Sequence, residues 1–82
     1  GYSSAASDVY KRQGESLVEF ALKNNDAGAK VYRTAAEYCD RAIASATDSY
    51  LRTQYVQKKG MLKYKLRQHR IGNNYVYLAA VF

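Results

Sequence analysis

Residues 27–57 read AGAKVYRTAAEYCDRAIASATDSYLRTQYVQ, a stretch with no proline and a single glycine, Gly28, near its start. At about 100° per residue, Tyr32, Ala36, Cys39, Ile43, Ala46 and Tyr50 fall on one stripe, while Lys30, Glu37, Arg41, Asp48 and Arg52 fall opposite. Glu37 with Arg41 and Asp48 with Arg52 stand at acid-then-base spacing of four, each pair adding about 0.2–0.5 kcal/mol. The spacing predicts one long amphipathic helix over 27–57. Its stripe is narrow and built largely of small residues, so another backbone can come close to it.

Toward the N-terminus, Ser16-Leu17-Val18-Glu19 has capping-box order and predicts the start of a short helix that carries Leu17, Phe20 and Ala21 on one side. Asn24-Asn25 should end it, with Asp26 accepting hydrogen bonds from the free N–H groups of the next helix. The opening thirteen residues, GYSSAASDVYKRQ, resemble the peptide obtained when leftover sequencing-adaptor DNA is translated in frame. Residues 1–13 are therefore expected to be an artefact or a disordered arm outside the fold, with the natural chain beginning elsewhere.

Toward the C-terminus, Lys58-Lys59-Gly60 has the cations and the glycine of a helix stop. Beyond it Leu62, Tyr64 and Leu66 alternate with Lys63, Lys65 and Arg67, the two-residue rhythm of a strand with one apolar and one basic face. Gly72-Asn73-Asn74 is a turn signal, and residues 75–82 are rich in β-formers. The predicted organisation is thus an arm over 1–13, a helical segment over 14–57 and a basic extended or hairpin segment over 58–82. The fold class is mainly α: a short helix, one long amphipathic helix and a C-terminal β-hairpin or extended segment. A two-stranded ribbon is marginal in water, and the chain stops on the apolar Val81-Phe82, so the fold is expected to depend on a partner or to be a fragment.

Eighty-two residues allow one domain with a thin core. One cysteine excludes an internal disulfide, no cysteine and histidine cluster stands at zinc spacing, and no apolar run approaches a membrane span. The net charge of +6 is unevenly placed, because the last of the seven acids is Asp48. Arg52, Lys58, Lys59, Lys63, Lys65, Arg67 and Arg70 follow it uncompensated, an arrangement that attracts an acidic protein or a polyanion.

Catalysis needs a nucleophile or proton shuttle and a group to orient it. His69 is the only histidine and lies in the acid-free run Arg67-Gln68-His69-Arg70, which marks it as a surface group and not a general base. The glycines at 14, 28, 60 and 72 are isolated and build no phosphate cradle. The chain is therefore expected not to be an enzyme. Two constellations remain. The basic segment with its tyrosines, comprising Arg52, Tyr55, Lys58, Lys59, Lys63, Tyr64, Lys65, Arg67 and Arg70, suits docking to an acidic protein, since Tyr and Arg are enriched at interfaces. The same residues could hold phosphates and stack bases, so a small basic nucleic-acid-binding subunit of a ribonucleoprotein is the alternative. Cys39, mid-stripe beside Asp40, is either a small core residue or a covalent attachment point for a conjugated ligand whose polar atoms the carboxylate holds.

The segment Val31-Tyr32-Arg33-Thr34-Ala35-Ala36-Glu37-Tyr38-Cys39-Asp40-Arg41, with the basic charge and tyrosine content around it, resembles phycobilisome linker polypeptides, especially the phycoerythrin gamma type of red algae, over roughly residues 27–70. The resemblance implies a structural linker that binds acidic phycobiliprotein hexamers in a light-harvesting antenna, at the stromal face of the chloroplast thylakoid. It also implies one covalently bound bilin at Cys39, with Asp40 beside it. The chain is much shorter than such linkers, and neither conserved linker domain is recognisable in it.

Overall fold

The computed structural model describes the backbone of residues 2–81 and the side chains of residues 9–69. Three helices follow one another: α1 (Tyr2–Lys23), α2 (Ala29–Ser45) and α3 (Ser49–Val81). Helix α2 lies between the other two and packs most extensively on α3.

Helix α1 ends where the two asparagines predict. The Asn24 backbone N–H and side-chain Nδ2 both donate to Phe20 O, at 3.1 and 2.8 Å, which closes the last turn. The next helix is not capped by Asp26. Its N-cap is Gly28 at φ 98°, with no side-chain cap, a backbone conformation that only glycine adopts freely. Nor does Ser16 start a helix, since α1 runs through it from Tyr2. Of the segment 1–13, expected as an artefact or arm, residues 2–13 form the first turns of α1.

The single long helix over 27–57 does not form. Helix α2 stops at Ser45, Ala46 takes an extended ψ of 128°, and Asp48 Oδ1 accepts the Tyr50 N–H at 2.9 Å to begin α3. The reason is burial. A straight helix would leave both of its apolar faces in water, whereas the bend lets α3 fold back on α2. Fully burying one large apolar side chain is worth about 1.5–3 kcal/mol, more than the few tenths that the predicted ion pairs offer. Those pairs yield their cations: Arg41 Nη1 donates to Tyr10 Oη at 2.7 Å, and Arg52 Nη2 donates to Ala46 O at 2.8 Å, holding the bend.

The C-terminal hairpin is also absent, and α3 continues from Ser49 to Val81 through the predicted helix stop at Gly60 and the predicted turn at Gly72. Leu62 and Leu66 are four residues apart, a spacing that serves a strand face and a helix face equally. Tyr55, Leu62, Leu66 and His69 complete a helical period, and Tyr64, which a strand would place beside Leu62, is 64% exposed. Gly60 does not stop the helix because it lies on the outer side with nothing within 4 Å of a Cβ built there, and one interior glycine costs only about 1 kcal/mol.

The core comprises Val18 and Ala21 from α1, Tyr32, Ala35, Tyr38 and Cys39 from α2, and Tyr55 and Leu62 from α3. It is closed within one chain, against the expectation of a fold completed by a partner. The predicted stripe holds Tyr32 and Cys39 correctly but misses Ala35 and Tyr38, and it places Tyr50, 69% exposed beside the bend, wrongly inside. Polar ends of the buried tyrosines are satisfied: Tyr32 donates to Asn24 O at 2.7 Å, and Tyr38 to Lys11 O at 3.2 Å. Among the described residues no helix is long and apolar enough to cross a membrane.

Candidate docking face

Helix α3 turns Tyr55, Leu62 and Leu66 toward α2, which sends a different set outward. Tyr50, Thr53, Gln57, Met61 and Tyr64 recur at spacings of three and four along the opposite side and are all exposed. Met61 and Tyr64 show 54% and 64% of their surfaces. Gln57, Gly60, Met61, Tyr64 and Lys65, with Asn25 from the end of α1, line an open depression beside this stripe. Lys63 and Arg67, four residues apart and exposed, border this stripe on one flank with Arg52.

The nine residues singled out for partner binding are not all available to a partner. Lys59 forms an ion pair with Asp40 of α2. Lys65 Nζ donates to Leu22 O at 2.5 Å and to Asn25 Oδ1 at 3.1 Å, placing its charge at the negative end of α1 where exposed carbonyls favour a cation. Lys58 Nζ sits 5.2 Å from the centroid of the Tyr55 ring. Arg52 is committed to Ala46. Tyr55 is buried, donates to Glu15 Oε1 at 3.3 Å and meets Tyr38 edge-on at 6.1 Å between centroids. What faces outward is Lys63, Tyr64 and Arg67. Arg70 lies on the backbone of α3, and its side chain is outside the described residues.

Cys39 is 0% exposed, and burial, the largest influence, pushes its thiol above the ordinary value, with the neighbouring Lys58 opposing. Attachment of a conjugated group at its sulfur requires α2 and α3 to separate. Asp40 points outward to Lys59, away from the buried thiol. Burial likewise raises the phenols of Tyr38 and Tyr55, Tyr55 further than Tyr38. His69 is half-buried, its ring edge-on to Tyr32 at 6.4 Å. Among the described residues no three His, Cys, Asp or Glu side chains gather to hold a metal ion.

Sequence reasoning missed Gln57, Gly60 and Met61 as parts of an outward stripe. The signal was present, since their spacing continues from Tyr50 and Thr53, but the helix stop placed at Gly60 cut it. The contact of Tyr10 with Tyr38 and Arg41 across α1 and α2 had no local signal.

Compared with protein-family models, curated proteins and solved structures, the chain matches none.

Proposed function

We propose that this chain is a non-catalytic accessory or linker subunit that docks, by the outward face of α3, onto an acidic protein in a larger assembly. The observation that carries the reading is the outward exposure of Met61 and Tyr64, with Arg67 three residues beyond Tyr64 and Lys63 on the adjoining flank, on a helix that follows the last acid of the chain. Large adaptable side chains supply contact area, and uncompensated cations at the edge select an acidic partner and speed its approach. Phycobiliprotein hexamers of a chloroplast antenna are the first partner to try, because the resemblance of residues 27–70 names them. A bilin at Cys39 belongs to this proposal only in a state where α2 and α3 have parted.

Nucleic acid is the less favoured ligand, since Lys58, Lys59 and Lys65 are engaged by the chain itself, leaving fewer cations in one plane for phosphates. The test is co-purification of the chain from its native source with and without nuclease, compared with a Lys63→Glu, Arg67→Glu variant. Nuclease-resistant association with acidic proteins that the variant loses is the expected result. Association released by nuclease, with a steep dependence on salt, would assign the nucleic-acid function instead.

A further inference from the structure

Gly60 stands in the interior of α3, and the chain itself makes no use of its bareness. Of the glycines among the described residues, Gly14 makes room for the Tyr38 ring and Gly28 turns the backbone at φ 98°. Gly60 does neither: its φ is not positive, and a Cβ built there meets nothing within 4 Å. Glycine weakens a helix interior relative to alanine, because it gives the unfolded chain more freedom to lose. Alanine would fit here, and among the described residues nothing offsets the loss. A bare position on an outer face has its use where another backbone comes close.

The surroundings of Gly60 narrow down what approaches. Its neighbours at three and four residues on the helix surface are Val56, Gln57, Lys63 and Tyr64, all exposed. Such rows form the ridges and grooves that a second helix fits, with axes about 8–10 Å apart and nearest where the side chains are smallest. Charge selects the second helix. Lys63 and Arg67 stand four residues apart beside the bare position, both exposed, and neither forms an ion pair among the described residues. A second copy of this chain is disfavoured, since crossing at its own Gly60 would crowd the Lys63 and Arg67 of both chains around one contact, and α3 holds no acid to offset them. Resting on the docking reading above, we propose that Gly60 is a crossing point, where a helix of the acidic partner lays its backbone against α3 and sets carboxylates at spacings of four beside Lys63 and Arg67.

The probe is a labelled synthetic helical peptide with glutamate at every fourth position beside a row of alanines, titrated against the full chain by fluorescence anisotropy. Its affinity is expected to fall at least tenfold in Gly60→Leu and several-fold in Gly60→Ala. Both variants should melt no lower than the unaltered chain, since the added Cβ meets nothing within it, so weaker binding is not lost folding. If Gly60→Leu does melt lower, Gly60→Ala carries the comparison alone. A Gly60 variant that binds as the unaltered chain does, or a peptide that the unaltered chain does not bind, overturns the crossing and leaves the docking reading to the co-purification described above. Binding that survives in Lys63→Glu, Arg67→Glu overturns the acidic partner, and the crossing with it.

Discussion

The ring of Tyr38 fills the space that a side chain at Gly14 would need: a Cβ built there lies 2.1 Å from Tyr38 Cε2 and 2.2 Å from Cδ2. Helix α1 can approach α2 this closely only because position 14 is bare, and the ring cannot easily retreat, being 7% exposed and hydrogen-bonded to Lys11 O. Gly14→Ala is expected to destabilise the fold by about 1–3 kcal/mol, despite the roughly 1 kcal/mol that alanine gains in a helix interior. Urea unfolding of Gly14→Ala, Tyr38→Ala and the double variant checks this. The two penalties should fall well short of adding, since removing the ring relieves the clash.

Leu62 and Tyr64 distinguish the helix from the ribbon that the alternation suggests. Leu62 is 0% exposed and Tyr64 is 64% exposed, so Leu62→Ala should cost about 2–5 kcal/mol and Tyr64→Ala less than about 0.5 kcal/mol. Comparable losses at both positions, measured by thermal unfolding, would return the segment to a strand.

High pH should unfold the protein. Cys39, Tyr38 and Tyr55 are all held in their neutral forms by burial. The unfolded chain therefore releases these protons first, at ordinary values of 9.0 for the thiol and 10.0 for the phenols. Stability from these groups is complete below those values and falls as pH rises past them. The melting temperature is expected to decline first as the thiol of the unfolded chain ionises and more steeply as its phenols do, with the slope flattened in Tyr55→Phe. In the same measurements Cys39 should resist aqueous thiol reagents in the folded chain and react on unfolding.

Among the described residues no buried core side chain lies before Val18. A chain that begins at Gly14 should therefore fold with the helical signal of α2 and α3 intact. Among the described residues it loses the Tyr10 ring on Tyr38, the Tyr10 hydroxyl that accepts from Arg41, and the Lys11 carbonyl that accepts from Tyr38, on the order of 1–3 kcal/mol. Collapse of the truncated chain in circular dichroism would make residues 1–13 an integral part of the fold.

What was legible in the sequence is local. The Asn24 stop, the inward Tyr32 and Cys39, and the outward Lys30, Glu37 and Arg41 follow from turn chemistry and period alone. The bend at Asp48 was not legible, because its cap is worthwhile only once Tyr55 and Leu62 find Tyr32, Ala35 and Cys39 across the turn. The basic segment misled for a related reason: Leu62 and Leu66 satisfy two periods at once, and only packing against α2 chooses between them. The same packing divides cations that look alike in sequence, sending Lys59 and Lys65 to partners within the chain and leaving Lys63 and Arg67 outside.

The contact of Tyr10, Tyr38 and Tyr55, rings 5.7 and 6.1 Å apart at mutual tilts of 52° and 70°, has an optical consequence. With nine tyrosines, two phenylalanines and no tryptophan, near-ultraviolet emission and dichroism come chiefly from phenol rings, and these three link all three helices. Their signal reports whether the helices are assembled, independently of the far-ultraviolet spectrum, which reports only whether they are coiled.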